Sequence, residues 1–479
     1  MSNSKGVETP NKQYETAKFY VEQMRDAMTG EPALKSNEKR KIYLPPSCED
    51  NNQQSFEEIQ QYKRYLQRAE YDNIPRKTLS ALIGAIFRNN PTYNLGALSD
   101  FEQDADGDGL TMTEMLKITA SELLQMNYVF LLAEYQGLAN SNSEEITAAE
   151  TSESRSVIKM YSRENIINWN HRRINGRLQL SMIVFMECEE GQEIDSYESK
   201  EYKSYLVLAL DENGQYFQQK YVETDDIGWS EPIYPQANGS NLDYIPGDFI
   251  FASDYSKGDV SLDMGYLHNI ACKSIARYQA NADLKESLYF SGAPVSTSSG
   301  WTEQGLELYK QMTGREYIGA APGSHIPLPE DSKFEIAQWQ ADGNAIFKYM
   351  DQNAAEIRAL GGVFDTEESK QDQTATAAAI NRAEKMGVLS SIVINIEEGF
   401  DRVLGYCAEF EGVVAPGDAV ELNKEYQPKG IDAQQRTSIL NEYIQGLISR
   451  AEALRQLERA GILTDTAEVL LNEAELDGE

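Results

Sequence analysis

A chain of 479 residues is long enough for two to four domains with their own cores, and a hydrophobic content of 41% excludes a disordered polymer. Lys and Arg number 43 against 77 Asp and Glu, a net charge of −34, which argues against a high-affinity DNA-binding surface because such a surface needs clustered cations. Cys48, Cys188, Cys272 and Cys407 lie far apart with no CxxC spacing, so neither disulfides nor a zinc site is expected, and a reducing compartment is.

The polar residues 1–14 hold no apolar leader, and no window approaches the run of about twenty apolar residues that a membrane span requires, so a soluble, unexported protein is expected. Residues 12–28 read as a helix, ended by a polar stretch with Pro45 and Pro46. Helical blocks follow at 55–68 and 76–88, the second bracketed by Pro75 and Pro91. A helix is expected over 111–132, ending in the apolar run 128–132. Residues 140–156, rich in Ser, Glu, Thr and Ala, read as a mobile excursion.

From Val157 the period becomes that of strands. Asn175-Gly176 separates 165–169 from 178–188, and Asn213-Gly214 separates 205–210 from 216–221; both are hairpin signals, and 245–252 closes the antiparallel patch. A helix over 262–287 carries the small residues Ala271, Ser274, Ala276, Ala280 and Ala282, which allow a neighbouring helix to approach closely. Residues 291–340, broken by Pro294, Pro322, Pro327 and Pro329, hold one short helix at 302–312 and short strands. A return helix over 343–360 shows Ile346, Met350, Ala354, Ile357 and Leu360, and Gly361-Gly362 ends it. The helix 376–410 then carries Leu389, Ile392, Ile396, Phe400, Val403, Cys407 and Phe410 on one face. At roughly 50 Å, and with Gly387, Gly399 and Gly405 inside it, it suits a spanning girder better than the interior of a compact enzyme. The tail is helical again, with capping boxes at Ser449/Glu452 and Asp465/Glu468 around Gly461.

Few residues suggest chemistry. Asp104, Asp106 and Asp108 look like the opening of a calcium loop, but the twelfth position, which should supply a bidentate Glu, is Met115. The simpler reading is a capping box of Thr111 and Glu114, with the acidic run at the positive end of a helix. The loop 319–323 lacks the Gly-Lys-Ser/Thr of a phosphate loop, and His171, His268 and His325 are isolated. Asn238-Gly-Ser240 is a glycosylation sequon that an unexported protein would not use. No catalytic constellation and no cofactor is expected.

Several segments, weak singly, resemble in order and spacing the portal proteins of tailed bacteriophages, in a branch long known only as a domain of unknown function. They are Tyr65-Leu-Gln-Arg-Ala69 with Asn73, Gly84-Ala-Ile-Phe-Arg88 up to Pro91, Asp106-Gly-Asp-Gly109 before a helix, and Ile166-Ile-Asn-Trp169. Ile245-Pro246 follows, then 262–282 leading into Phe290-Ser-Gly-Ala-Pro294, Ile318-Gly319 to Leu328-Pro329, Gln373-Thr-Ala-Thr-Ala377, and Gly446-Leu-Ile-Ser449 to Gly461-Ile-Leu463. The resemblance covers about 62–476.

It implies an α+β, mainly α fold: a wing over 1–260, a first stem helix over 261–288, a clip over 289–341 and a second stem helix over 342–360. A channel loop over 361–375, a long wing helix with its link over 376–430, and a helical crown over 431–479 complete it. By the same resemblance the chain forms a ring of about twelve copies at one capsid vertex, assembled in the host cytoplasm. Double-stranded DNA passes through without sequence specificity, and a terminase motor, the major capsid protein, a scaffold and a tail adaptor are the partners, with no membrane. The channel loop would present Gly361, Gly362, Phe364, Lys370 and Gln371, and Arg315 and Tyr317 would lie on the clip docking surface. Over such a ring the charge reaches roughly −400, which suits a channel that lets DNA slide. The channel loop itself is acidic, with Asp365, Glu367, Glu368 and Asp372 against Lys370, so Phe364 is the better candidate for a steric contact with DNA. The alternatives are another phage ring component, such as a head–tail adaptor, and an acidic calcium-binding module resting on Asp104, Asp106 and Asp108.

Overall fold

The computed structural model describes residues 6–46, 56–136, 155–174, 176–192, 199–222, 228–253, 263–292, 296–313, 325–329, 344–362, 375–424, 441–445, 448–449 and 452–455. The chain divides into two compact units, Met1–Leu422 and Asn423–Glu479. The class is α+β, as expected.

The first unit opens with α1 (Lys12–Thr29), whose N-cap Asn11 accepts a 2.9 Å hydrogen bond from the Gln13 amide and whose Ala17, Val21, Met24, Ala27 and Met28 are buried. Two short helices, α2 (Glu31–Leu34) and α3 (Arg40–Tyr43), lead to α4 (Phe56–Arg68) and α5 (Ile74–Ile86). The last begins two residues earlier than expected. Pro75 is not a breaker: it sits in the first turn, where its missing N–H costs nothing, under the N-cap Asn73.

After the two-residue strand β1 (Thr92–Tyr93) comes α6 (Met112–Met126), started by the capping box of Thr111 and Glu114. The expected helix over 111–132 is wrong in its last third. Asn127 takes φ 76°, closes the helix onto the Leu123 carbonyl, and β2 (Tyr128–Gln136) leaves as a strand. The apolar run at its start is buried on both faces because β2 is the central strand of a sheet; such a run has no period to separate it from a buried helix.

The three-stranded antiparallel sheet has the order β11 (Gly247–Phe251), β2, β3 (Arg155–Ser162). Thus 247–251 joins β2 instead of closing the hairpin patch. That patch is a five-stranded antiparallel sheet of β4 (Ile166–Ile174), β5 (Arg177–Gln192), β6 (Ser199–Leu210), β7 (Tyr216–Val222) and β8 (Gly228–Trp229), in sequence order, with both expected hairpins present. A third Asn-Gly pair, read above only as a sequon, makes another turn: Asn238 (φ 53°) and Gly239 (φ 74°) join β9 (Gln236–Ala237) to β10 (Ser240–Asn241). The two larger sheets share one core, in which Phe130, Tyr161, Phe185 and Phe249 meet, Tyr161 stacked on Phe185 at 3.7 Å.

The remaining elements are α7 (His268–Gly292), β12 (Ser296–Trp301), α8 (Glu303–Thr313), β13 (His325–Pro329), α9 (Asn344–Ala359), α10 (Ala375–Glu411) and β14 (Val420–Glu421), which pairs with β1. In the second unit two helical turns, 441–444 and 452–455, are described, and the Ser449 hydroxyl caps the Glu452 amide at 3.2 Å. Asp465, Glu468 and Gly461 lie outside the described residues, as do 140–154 of the expected excursion. Arg155 and Ser156 already belong to β3.

Candidate functional site

Where α7 and α9 meet, they run antiparallel, as the contacts in sequence show. The Tyr266 hydroxyl donates to the Leu360 carbonyl at 3.0 Å, Lys273 pairs with Glu356 at 2.5 Å, and Arg277 donates to the Met350 carbonyl at 2.8 Å. Of the small residues expected on α7, Ala271, Ser274 and Ala282 are buried while Ala276 and Ala280 are half-buried; Ala354 and Ile357 of α9 are buried as well. Hydrogen bonding to Glu356 raises the proton affinity of Lys273, and the same bond lowers that of Glu356, so both stay charged near neutrality.

The pairing covers only the first half of α7. Its second half lies against α4 and the chain around it: Tyr65 donates to Asp283 at 2.8 Å, Arg68 pairs with Glu286 and stacks over Tyr289, and Gln279 donates to the Tyr43 carbonyl at 2.9 Å. Helix α7, expected as a first stem helix, is therefore not a free arm of a hairpin; the N-terminal helices sheathe it. Correspondingly, the first half of α9 is left open, with Phe347 49% and Tyr349 46% exposed.

Gly361 and Gly362 close α9 as expected. Gly361 takes φ 99° and donates to the Arg358 carbonyl at 3.0 Å, and Gly362 donates to the Ile357 carbonyl at 2.8 Å, the paired bonds of a Schellman turn. A Cβ on Gly362 would lie 2.3 Å from the Ile357 side chain, so this turn also needs its second glycine. Phe364, Lys370 and Gln371 lie outside the described residues, as do Arg315, Tyr317 and the loop 319–323.

Between α7 and α9 the described part of the insert is a two-stranded parallel pair, Ser296 opposite His325 and Thr297 opposite Ile326, with α8 against it. Leu308 and Met312 of α8 are 57% and 79% exposed.

The 37-residue α10 bears out most of the expected stripe: Leu389, Ile392, Ile396, Phe400, Val403 and Cys407 are buried, and Phe410 is partly buried. The girder expectation needs correcting, since this part of the helix lies in the core of the first unit, packed on β11, β2, β3 and α6. Gly399 explains how it gets there: a Cβ at that position would come within 2.4 Å of the Ile250 side chain, so the glycine lets helix and sheet close together.

Asp104, Asp106 and Asp108 do not form a group that could hold a metal ion, and the first two turn their carboxylates onto backbone amides. Asp104 Oδ1 accepts from the Gly107 and Gly109 amides, Asp106 Oδ1 from the Asp108 and Leu110 amides, and Asp104 pairs with Arg155 at 2.5 Å. Slight burial opposes it, but those amides and Arg155 together hold the Asp104 carboxyl below its ordinary range. Thr111 and Glu114 form the reciprocal cap that the simpler reading expected. Among the described residues no group of three or more His, Cys, Asp and Glu side chains could hold a metal ion, and no helix is long and apolar enough to cross a membrane.

With this geometry in view, one family model matches the chain: Domain of unknown function (DUF4055), over residues 266–411. The match is under a third of the chain, and it runs from the start of the α7–α9 pair, through the insert and the Gly361 turn, to the end of α10. No curated protein matches the sequence. The exposed Phe347 and Tyr349 escaped the sequence reading because each lies next to a residue of the expected stripe, Ile346 and Met350, and only packing shows that the covered arc ends there.

Proposed function

We propose that this chain is the portal subunit of a tailed bacteriophage: a non-enzymatic ring component at one capsid vertex, through which DNA is packaged and ejected. The ring of about twelve copies arises from a head-to-tail contact whose rotation closes. Double-stranded DNA passes along its axis, a terminase motor and later a tail adaptor dock on it, and the major capsid protein, with a scaffold during assembly, surrounds it.

The observation that carries this reading is the segment 266–411. An antiparallel helix pair opens onto a small β–α–β insert, returns through a glycine turn, and continues into a 37-residue helix anchored in the body of the chain. Phe347, Tyr349, Leu308 and Met312 lie on the described parts of the pair and its insert, and one copy leaves them open, which suits a contact with the next copy.

Electron microscopy of the purified chain, with mass photometry, tests the reading. Closed rings with a central hole wide enough for a duplex are expected. A stable monomer at micromolar concentration would remove it, and so would ATP turnover by the pure protein that a point substitution in it abolishes.

A further inference from the structure

The tip of the β4–β5 hairpin concentrates positive charge in this acidic chain, with three arginines in His171-Arg-Arg-Ile-Asn-Gly-Arg177. Register places Arg172 opposite Gln179, Arg173 opposite Leu178 and Ile174 opposite Arg177. Side chains alternate along a strand, so Arg172 and Arg177 share one face as diagonal neighbours, roughly 7 Å apart at the backbone, while Arg173 occupies the other face. All three are exposed, and none has an ion-pair partner among the described residues.

The surroundings do not cancel the charge. Asp248, the acidic group that bears on His171, is paired with Arg402 at 2.6 Å, and Asp243 meets the hairpin through its carbonyl oxygen, which accepts from Gln179 at 3.1 Å. His171 is half-buried, which lowers its proton affinity, so the positive charge of the tip is that of the three arginines.

A protein partner and a nucleic acid could both answer such a patch, and two features favour the nucleic acid. First, the guanidinium groups leave both faces of a two-stranded ribbon, whereas a flat protein interface would collect them on one. Second, no large hydrophobic residue is exposed anywhere between Ile118 and Trp229 among the described residues, so the hairpin offers no apolar anchor of the kind that centres protein interfaces. Arginine forks match phosphate oxygens, and a two-stranded ribbon fits the major groove of a duplex.

We propose that the tip of the β4–β5 hairpin is a contact for the phosphate backbone of double-stranded DNA, made by Arg172, Arg173 and Arg177. The contact is local, because beyond a Debye length of roughly 8 Å the acidic remainder of the chain repels the same duplex only weakly. It is sequence-independent, weak in one copy, and additive over a symmetric assembly. It deepens the portal reading by naming a surface of the chain on which DNA rests, and its biological setting depends on that reading.

The test uses the full-length chain and a fluorescent random-sequence duplex, followed by anisotropy at increasing salt. Three phosphate contacts per copy predict a log–log salt slope of about −2.7 for each bound copy. The triple substitution Arg172→Gln, Arg173→Gln, Arg177→Gln should cost more than tenfold in affinity at about 50 mM salt and bring the slope close to zero. Arg76→Gln, at an exposed arginine on α5, should change neither. The proposal is overturned if the triple variant binds like the parent, if the parent fails to bind at about 50 mM salt, or if Arg76→Gln costs as much. A triple variant that alters only the oligomeric state, with no duplex binding by the parent, also overturns it and marks the hairpin as a protein contact. A parent that binds duplex through these arginines yet forms no ring would remove the portal reading and leave this contact standing, and a ring indifferent to duplex would do the reverse.

Discussion

In α10, Ile392, Ile396, Phe400 and Val403 are wholly buried, while in α9 Phe347 and Tyr349, which flank the stripe on different sides, are about half exposed. Both helices belong to the segment covered by the family model, and both carry apolar residues at helical spacing. The difference is what stands opposite. α10 has a sheet, β11–β2–β3, brought close by Gly399, whereas α9 has α7 only as far as Arg277, beyond which α7 turns its contacts to α4. The first surface is satisfied by one copy; the second is a surface that a ring would use.

Substitutions should therefore separate stability from assembly. Phe400→Ala leaves a cavity against the central sheet and is expected to cost about 3–5 kcal/mol in denaturant unfolding. A loss under about 1 kcal/mol would mean that the helix is not seated as described. Gly399→Val should cost about 1–3 kcal/mol because its side chain meets Ile250, and shortening Ile250 to Ala in the same chain should recover part of that loss.

The opposite behaviour is expected at α9. Phe347→Ser with Tyr349→Ser should move the unfolding midpoint by no more than about 0.5 kcal/mol, the range of surface changes, and should shift the mass distribution from rings toward free chains. Unfolding affected as strongly as by Phe400→Ala would place these residues in a core. Rings retained at the parent's concentration dependence would place the contact elsewhere.

Periodicity made the interior of α10 legible, and the Gly361-Gly362 pair made the end of α9 legible, because both signals are local. Thr111 and Glu114 likewise announced the start of α6. What failed was non-local. The run 128–132 reads equally as helix or strand until β11 and β3 flank it, and Asn127 at φ 76°, which breaks the helix, carries no unique mark in sequence. Pro75 reads as a bracket ahead of the helix, because its place in the first turn depends on the cap of Asn73. At the candidate site the helix pair was readable, but that α4 sheathes half of it depends on Tyr65 and Arg68 meeting Asp283 and Glu286, more than 200 positions away. The arginines of the β4–β5 hairpin were visible as letters, yet a net charge of −34 concealed that they stand without ion-pair partners among the described residues.

The smallest effect is expected on the satisfied side, where α10 is not fully at ease. Asp401 accepts a 2.8 Å hydrogen bond from the Ala419 amide, but burial first, and then the charges of Asp418 and Glu397, outweigh that bond and raise its carboxyl above the ordinary value of 3.8. A raised folded value means that the fold prefers the protonated form, so the ionised group costs stability above its folded pKa, and the cost disappears as pH falls through that value. Asp401→Asn keeps the Oδ1 acceptor and removes the charge. Because the site is only partly buried and screened, the gain at pH 7 should be at most about 0.5 kcal/mol. The sign follows directly: the variant's urea midpoint should exceed the parent's at neutral pH, and the two should converge below the ordinary carboxylate range. A variant less stable than its parent at pH 7 would show that Ala419 needs a charged acceptor. A gain equal at both pH values would show that repulsion from Asp418 and Glu397 is not its cause.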